Sequence, residues 1–398
     1  MLGRFTLSTC GLVDSSAGPR GDERPGQQDV EQRVKFTSVD HVELYVGDAM
    51  LSAYFFCQAL GFQMVAHAAP ESGLEGRRSI LLGQGSSRMV VTSALGSEGP
   101  VADYVRAHGD GVKDVAFATP DVAGAFVEAV RRGARPVQEP VTYEGAGGRV
   151  VKASIAGPGD LVHSFIQRDS TAGGFLPDMY LPLETAPGSP EALFSALDHV
   201  ALCLEHGTLL DTVDFYKDVL GFEQTHEENV RTEYSGMNSR VVQTADGRIC
   251  FPMQEPFTGA RRGQLEYFLM AHGGSGVQHL AFLASDITRA VDMLRRGGMS
   301  ILDVPPGYYE TLETRLGDLR GFRRETLQER NILMDRDAWG HLLQAFTRTQ
   351  HARQTLFFEV IQRQEARGFG GANIQALYEA KEHEAMRVPS SPRSGVRG

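Results

Sequence analysis

One stretch of the sequence occurs twice, as VDHVELYV at Val39–Val46 and as LDHVALCL at Leu197–Leu204. Three further pairs of segments match each other in the same order along the chain. These pairs are FFCQALGF (55–62) with FYKDVLGF (215–222), GVKDVAFATPDVAGAFVEAVRRGA (111–134) with GVQHLAFLASDITRAVDMLRRGG (276–298), and HSFIQR (163–168) with FEVIQR (358–363). Ordered matches of this kind indicate an internal duplication, so the two halves of the chain are expected to share one fold.

Within each copy the hydrophobic pattern predicts a strand, a helix and then further strands. Val42, Leu44 and Val46 alternate with Glu43 and Tyr45, the period of two that is typical of a half-buried strand. Farther along, apolar residues at helical spacing precede a glycine that would end the helix as a C-cap, namely Ala125, Phe126, Ala129, Val130 and Gly133 in the first copy and Ala290, Val291, Leu294 and Gly297 in the second. A βαβββ unit of this kind curls into an incomplete barrel, and two paired units enclose a cavity for a ligand. The predicted fold class is therefore α+β, with duplicated βαβββ modules in two open-barrel domains.

The segments between and around the copies set the predicted domain boundaries. We expect a disordered extension over 1–35, a first domain over 36–168, a linker over 169–195, a second domain with a C-terminal helix over 196–384, and a loose tail over 385–398. The extension is rich in Gly, Ser, Pro and charged residues, which disfavours a packed core. The second copy also carries an insertion between Pro305 and Gly340, and its GFGGANIQALYEAKEHEAM segment (368–386) has no counterpart in the first.

The composition is that of an ordinary globular chain and excludes several function classes. The 398 residues include 39 Lys and Arg against 50 Asp and Glu, a net charge of -11. An acidic chain without a long basic run is a poor candidate for binding a phosphate backbone. No apolar run reaches the roughly 18 residues of a membrane helix, the four cysteines show no CxxC spacing, and the start is weak as a signal peptide. We therefore expect a cytoplasmic protein that binds neither nucleic acid nor membrane.

Three polar residues of the second copy are candidates for a metal site. His199 lies on the first strand of one module, His279 on the first strand of the next, and Glu359 near the last strand, with 80 residues in each step. Two histidines and one carboxylate on separate strands that face one cavity would form the facial triad, which leaves three positions open on Fe(II). The equal spacing indicates that the three positions are related by the symmetry of the modules.

The same pattern is broken in the first copy, where the corresponding positions hold His41, Asp114 and Ser164. One copy is therefore expected to keep a metal site and the other to serve as scaffold. A single histidine in a strand is more often a hydrogen-bonded core residue than a ligand. The carboxylate of Glu359, however, is flanked by apolar residues and would need a cation or a proton, because an unpaired buried charge costs several kcal/mol.

Several segments give the chain a resemblance to a known family. They are LDHVALCLEHG (197–207), FYKDVLGF (215–222), GMNSRVVQT (236–244), GVQHLAF (276–282), LLQAFT (342–347) and LFFEVIQRQEARGFGGANIQALYEA (356–380). With them the chain resembles, over roughly 39–384, the 4-hydroxyphenylpyruvate dioxygenase family of vicinal-oxygen-chelate enzymes, which also contains 4-hydroxymandelate synthase. The resemblance implies non-haem Fe(II) held by His199, His279 and Glu359, a 2-oxo acid chelated through its carboxylate and keto oxygens, and O2 as co-substrate. It also implies a homo-oligomer, either a dimer or a tetramer.

The resemblance further implies which residues contact the substrate. Polar positions that line the family's pocket are matched by Asn238, Ser239, Gln264, Gln278 and Gln344. From the residues alone, Gln278 could instead orient a neighbouring histidine, and Gln344 could be an ordinary hydrogen-bonding residue of a strand. Oxidative decarboxylation of 4-hydroxyphenylpyruvate uses the substrate's own 2-oxo acid, so the protein has to orient the ring and exclude water.

The family divides on the carbon that is oxygenated after CO2 is lost. Attack on the ring gives homogentisate, whereas benzylic hydroxylation gives 4-hydroxymandelate. The dioxygenases typically carry Asn-Phe and Leu-Phe in the C-terminal helix, where this chain has Asn373-Ile374 and Leu377-Tyr378. Ile374 would remove a flat aromatic wall, and Tyr378 would add a hydroxyl that could bind the phenol. These residues resemble those of the mandelate synthases, so we expect the mandelate product, a precursor for arylglycine-containing natural products as in antibiotic biosynthesis.

Other interpretations stay open at this point. The stretch CFPMQEP retains Pro252, which is typical of the dioxygenases, with Gln254 where they usually have Asn, and this favours homogentisate as the alternative product. Two-module extradiol dioxygenases also use two His and one Glu, but they do not predict the GFGGAN segment. A non-catalytic small-molecule binding protein of the same fold is a more distant alternative, and it would be expected to lose a ligand in both copies.

Overall fold

The computed structural model describes residues 34–169, 174–183, 192–231, 236–257 and 262–375. These residues belong to one compact unit that begins at Val34. The predicted tail over 385–398 and nearly all of the predicted extension over 1–35 lie outside the described residues, and the predicted linker lies partly outside them. The boundaries of the two domains stay predictions.

The first half of the chain folds into one curled sheet. Its described strands are β1 (Ser38–Tyr45), β2 (Gln63–Ala68), β3 (Arg77–Gln84), β4 (Ser87–Ala94), β5 (Gly111–Ala118), β6 (Pro136–Gly145), β7 (Gly148–Ala156), β8 (Val162–Arg168) and β9 (Leu181–Pro182). They lie in the order β6-β7-β8-β5-β1-β4-β3-β2-β9. One module comprises β1 to β4 and another β5 to β8, and the two modules meet where β1 pairs antiparallel with β5.

The second half repeats this arrangement. Its described strands are β10 (Phe194–Cys203), β11 (Glu223–Arg231), β12 (Gly236–Gln243), β13 (Cys250–Pro256), β14 (Gly276–Ala284), β15 (Leu333–Arg336), β16 (His341–Phe346) and β17 (Phe357–Gln364). The order β11-β12-β13-β10-β14-β17-β16-β15 equals that of the first sheet read from β2 to β6. The predicted α+β fold of duplicated βαβββ modules is therefore confirmed.

Helices connect the strands within and between the modules. They are α1 (Ala49–Leu60), α2 (Pro100–His108), α3 (Val122–Arg131), α4 (Leu209–Asp214, continued by a π-helical turn at Phe215–Val219), α5 (Gln264–His272), α6 (Ile287–Arg296), α7 (Pro306–Glu310), α8 (Leu312–Leu316) and α9 (Arg324–Arg330), with a short 3-10 turn at Pro70–Ser72. The side chains of Asp48, Asp121 and Asp286 accept hydrogen bonds from the first backbone N–H groups of α1, α3 and α6, and so fix where these helices begin. In the described part of the chain, no helix has the length and apolarity to span a membrane.

Buried apolar residues from both halves form one continuous core. The ring of Phe117 in the first half lies 5.9 Å from that of Phe222 and 6.0 Å from that of Phe251 in the second, centroid to centroid. A buried hydrogen bond of 2.7 Å between His163 Nε2 and Tyr216 Oη also joins the halves. The two sheets therefore stabilise each other.

The helix α6 ends directly before Gly297, as predicted, but its left-handed glycine comes one residue later. Gly133 follows α3 with a left-handed φ of 105°, but after α6 the left-handed residue is Gly298, with φ of 89°. Gly297, which the pattern placed in that role, has φ of -75°. It is required for another reason, because a Cβ at this position would lie 2.5 Å from the backbone oxygen of Gln58 at the end of α1. Gly297 thus permits close packing of α6 against the first half.

Two segments of the second half have no equivalent in the first. The helices α7, α8 and α9 occupy the predicted insertion between Pro305 and Gly340. After β17 the chain turns at Gly370, with φ of 72°, and a helix begins at Gly371 and is described as far as Gln375. Both segments supply residues to the candidate site.

Candidate metal centre and its cavity

Adjacent strands of the second sheet bring two histidines and a glutamate together. His199 pairs with Ala281 across β10 and β14, and Ala281 pairs with Glu359 across β14 and β17. His279 lies two residues before Ala281 and therefore projects from the same face of the sheet. Glu359 Oε2 lies 3.3 Å from His199 Nε2 and 3.4 Å from His279 Nε2, and the two Nε2 atoms are 3.4 Å apart.

These three donor atoms fit one metal ion. Donors that bind one ion at about 2.1 Å and at right angles lie about 3 Å apart, close to the separations seen here. His199, His279 and Glu359 are only 3%, 8% and 2% exposed, so water competes little for them. Two imidazoles and a carboxylate on one face of an octahedral ion leave the opposite face open for other ligands.

Each histidine has an acceptor for its second ring nitrogen. His199 Nδ1 lies 2.8 Å from Asp198 Oδ1, and Arg363 holds that carboxylate through hydrogen bonds of 2.7 and 2.8 Å. His279 Nδ1 lies 3.3 Å from Gln278 Oε1. With Nδ1–H donating to these acceptors, the Nε2 lone pair of each ring is directed at the site, the usual arrangement for metal-binding histidines.

The electrostatics of the group favour a bound cation. Burial disfavours a charged His199, but the carboxylates of Glu359 and Asp198 outweigh it and raise the pKa of His199 to about 9. Burial likewise favours a protonated Glu359, but His199 and His279 outweigh it and lower the pKa of Glu359 to about 2. Glu359 is therefore an anion in a dry pocket, stabilised by positive charge on its partners, which a metal ion would supply in place of a proton.

The triad lies on the wall of a cavity of about 390 Å³, which is large enough for a small organic ligand. The predicted site residues that line it are His199, Ser239, Pro252, Gln254, Gln264, Gln278, His279, Gln344, Glu359 and Ile374. Gln254 Nε2 donates to Gln278 Oε1 at 2.7 Å, so these two amides form a fixed polar patch beside the triad.

Asn238, predicted as a substrate contact, lies on the other side of the cavity wall. Its neighbours Met237 and Ser239 line the cavity, and because side chains alternate along β12, Asn238 projects from the opposite face. There it donates to Glu255 at 3.1 Å and accepts a hydrogen bond from Arg231 at 2.7 Å. Asn238 is therefore not among the residues that line this cavity, and its contact with a substrate stays a prediction.

The predicted product-determining residues have different positions. Ile374 lines the cavity, whereas Asn373 is fully buried behind it and donates to Gln344 Oε1 at 2.8 Å. Tyr378 lies outside the described residues, so its predicted contact with the phenol stays a prediction.

Several cavity residues were not predicted from the sequence. They are aromatic or charged: His226, Glu227, Glu228, Asp335, Arg336, Asp337, Phe346, Phe357 and Phe369. Phe369 has its ring 5.5 Å from that of His199, and Phe357 stacks on His279 at 4.9 Å. Phe369 lies within the GFGGAN turn and could have been found there. Asp335 lies on β15 within the predicted insertion, and its position depends on how this segment folds back onto the sheet.

Comparison with known proteins agrees with this fold. The family model of the Glyoxalase/Bleomycin resistance protein/Dioxygenase superfamily matches residues 38–160 and 196–344. A 4-hydroxyphenylpyruvate dioxygenase from Dictyostelium discoideum is 35% identical over 87% of this chain and 97% of its own length, and one from Danio rerio is 35% identical over 89% and 92%. A solved triple mutant of 4-hydroxymandelate synthase from Streptomyces coelicolor is 40% identical, with a TM-score of 0.80 over 88% of this chain and 99% of its own.

Paired βαβββ modules and the superfamily match define the class as that of the glyoxalase-like, vicinal-oxygen-chelate proteins. Within this class the chain belongs to the family of the 4-hydroxyphenylpyruvate dioxygenases and 4-hydroxymandelate synthases.

Proposed function

We propose that this protein binds Fe(II) through His199, His279 and Glu359 and converts 4-hydroxyphenylpyruvate and O2 to 4-hydroxymandelate and CO2. Family membership and the donor set of the triad support the choice of ion and reaction. The ion would bind the 2-oxo acid and activate O2, which is chemistry that protein side chains do not supply. The protein's own residues bind and orient the substrate and exclude water.

The charge of the cavity supports a requirement for a cation. Its described lining contains one arginine and no lysine, against five carboxylates: Arg336 against Glu227, Glu228, Asp335, Asp337 and Glu359. Such a lining repels the carboxylate of a 2-oxo acid. A divalent ion at the triad would reverse the local charge and so permit an anionic substrate to bind.

The remaining wall provides an apolar space with a few polar groups. Phe346, Phe357 and Phe369 surround the triad and keep water away from it. The amides of Gln254, Gln264 and Gln278 are the polar groups that we assign to orienting the substrate, because hydrogen bonds from fixed groups hold a ring in one pose. Of the predicted contacts, Ser239 and Gln344 also line the cavity and remain part of the proposal.

The position of Ile374 in the cavity wall is the observation that most directly supports 4-hydroxymandelate as the product. It packs against the buried cluster that includes Cys203, Met237 and Leu265. A branched aliphatic side chain leaves space that a flat phenyl ring would fill, so the substrate ring can turn and present its benzylic carbon to the reacting oxygen. The 40% identity to a 4-hydroxymandelate synthase supports the same product.

Homogentisate is the second candidate product. Pro252, which the resemblance associates with the dioxygenases, also lines the cavity. In addition, the curated relatives compared above are 4-hydroxyphenylpyruvate dioxygenases. A ring held flat against Pro252 would present a ring carbon instead of the benzylic carbon.

The test is a single reaction of the Fe(II)-loaded protein with 4-hydroxyphenylpyruvate, prepared anaerobically and started with O2. The two products are isomers, so they are separated by chromatography against standards and identified by proton NMR. A benzylic CH–OH signal is expected. Three aromatic protons with an intact CH2 group would establish homogentisate instead, and no release of CO2 would overturn the proposed reaction and favour a binding protein.

A further inference from the structure

A buried chain of hydrogen bonds leads from the Glu359 carboxylate to the insertion of the second half. Gln344 Nε2 donates to Glu359 Oε1 at 3.0 Å, and Asn373 Nδ2 donates to Gln344 Oε1 at 2.8 Å. The chain ends at Tyr308 on α7, whose Oη lies 2.5 Å from Asn373 Oδ1. All four residues are 8% exposed or less, so water cannot easily replace any of these hydrogen bonds.

The carboxylate determines the direction of each hydrogen bond in this chain. An ionised carboxylate only accepts, so Gln344 must turn its NH2 group toward Glu359 and its oxygen toward Asn373. Asn373 must then donate through Nδ2, which leaves its Oδ1 facing the hydroxyl of Tyr308. The hydroxyl has two possible acceptors, Asn373 Oδ1 at 2.5 Å and the Met334 backbone oxygen at 2.8 Å, and we assign its one proton to the nearer of them. It accepts a hydrogen bond from Met334 N–H at 2.9 Å.

We propose that Tyr308 is a positioning residue for the metal site. By donating to Asn373 it stabilises the arrangement of the two amides that keeps Glu359 Oε1 engaged with Gln344 and leaves Oε2 for the ion. Oε2 is the oxygen that lies 3.3 and 3.4 Å from the two histidine Nε2 atoms. This inference rests on the metal centre of the proposed function and adds a residue that touches neither the ion nor the cavity.

The packing around Gln344 supports this role. Gly370 has a left-handed φ of 72°, and a Cβ on it would lie 2.2 Å from Gln344 Oε1. Gln344 Nε2 also donates to the backbone oxygen of Phe369 at 3.2 Å. The glycine turn therefore gives the Gln344 amide room to meet Asn373, and Tyr308 supplies the donor that Asn373 Oδ1 needs in the orientation set by the carboxylate.

The experiment compares Tyr308→Phe with the wild-type protein. The substitution keeps the ring, over which the guanidinium of Arg315 lies at 4.6 Å, and removes only the hydroxyl. Asn373 Oδ1 then loses its donor, which weakens the hold of Asn373 on Gln344 and of Gln344 on Glu359. We expect the affinity of the metal-free protein for Co(II), measured by calorimetry, to fall by about 10- to 100-fold. The visible absorption of the bound Co(II) should also shift, because a carboxylate ligand has moved.

The adjacent tyrosine provides a matched control. Tyr309 has a buried hydroxyl that makes no hydrogen bond within the described structure. Tyr309→Phe should therefore leave both the Co(II) affinity and the absorption spectrum unchanged. Thermal melting of the metal-free proteins separates a loss of folding from a loss of positioning.

A second variant interrupts the same chain at another residue. Asn373→Leu is similar in size and should lower the Co(II) affinity to the same extent, even where Tyr308→Phe fails to fold. The double variant should lose no more than Asn373→Leu alone, because both substitutions break one chain. If Tyr308→Phe folds and shows the wild-type Co(II) affinity and spectrum, the role of Tyr308 is overturned. If Tyr308→Phe does not fold, the same result in Asn373→Leu overturns it. Neither result would affect the proposed function. A wild-type protein that binds no Co(II) or Fe(II) would instead overturn the proposed function.

Discussion

The two halves of this protein share a strand order and a supporting group, yet among the described residues only the second half holds a triad that could bind a metal. The supporting residues are Asp40, His41 and Arg168 in the first half and Asp198, His199 and Arg363 in the second. In both halves the aspartate accepts one hydrogen bond from the histidine Nδ1 and two from the arginine, at 2.7 to 2.8 Å. The group of aspartate, histidine and arginine is therefore present in both halves, including the first half, which lacks the other two metal ligands.

The halves differ at the other two positions. In the first half Asp114 accepts hydrogen bonds from the backbone N–H of Ser164, at 3.0 Å, and from its hydroxyl, and Lys152 Nζ lies 3.7 Å away. The carboxylate is satisfied without an ion. In the second half Glu359 faces two imidazoles instead. The comparison teaches that one histidine with its aspartate and arginine stabilises the fold, whereas metal binding requires the other two ligands.

The largest effect is expected at the position where the halves differ most. Glu359→Ala removes the anionic ligand and leaves two imidazoles, so binding of Fe(II) and turnover should be abolished. The matched substitution Ser164→Ala in the first half should change neither, when iron content and CO2 release are measured for both. An iron-replete, active Glu359→Ala protein would contradict the triad.

The aspartates that support the two histidines offer a finer comparison. Asp198→Asn keeps the size of the side chain but weakens its hold on His199, so metal affinity should fall by about 10- to 100-fold. Asp40→Asn should lower the melting temperature and leave the metal affinity unchanged. Calorimetric titration with Co(II) and thermal melting check both, and a similar loss of affinity in the two variants would show that the first half also contributes to metal binding.

A third substitution tests a segment that only the second half has. Ile374→Phe places a flat ring in the cavity wall and should shift the product from 4-hydroxymandelate toward homogentisate, with modest loss of rate. The ratio of the two products, measured by chromatography, is the readout. An unchanged ratio would mean that Ile374 does not determine the geometry of the reacting ring.

The smallest effect concerns stability in acid. His163 occupies the position that Phe358 holds in the second half, and burial lowers the pKa of His163 to about 4. The unfolded chain takes up a proton below about pH 6.5 and the folded chain does not, so stability falls as the pH drops from about 6.5 toward 4. At pH 5 this difference in proton uptake lowers the free energy of unfolding by about 2 kcal/mol.

His163→Gln keeps a group that can bond to Tyr216 but does not titrate. The difference in urea midpoint between pH 7 and pH 5 should therefore be smaller in this variant than in the wild-type protein. An equal difference in the two proteins would assign the acid sensitivity to other groups.

Much of the fold and of the triad could be predicted because both follow from repetition. The duplicated motifs fix the order of strands, and the equal spacing places His199, His279 and Glu359 at related positions on neighbouring strands. By contrast, the roles of Tyr308 and Asp335 depend on how a non-repeated insertion folds back. The alternation along β12 indicates on which side Asn238 projects, and the close approach of Gly297 to α1 is visible only in the structure.

The 80-residue steps between the ligands have a consequence for assembly. Each ligand belongs to a different part of the second sheet, and the pairing of β14 with β17 brings together residues far apart in sequence. Contacts of such high sequence separation slow folding, because a long loop has to close before they form. A chain that ends before β17 would offer two imidazoles and no carboxylate. Tight capture of metal therefore reports that β17 has paired with β14, and an assay of metal uptake during refolding would follow that pairing.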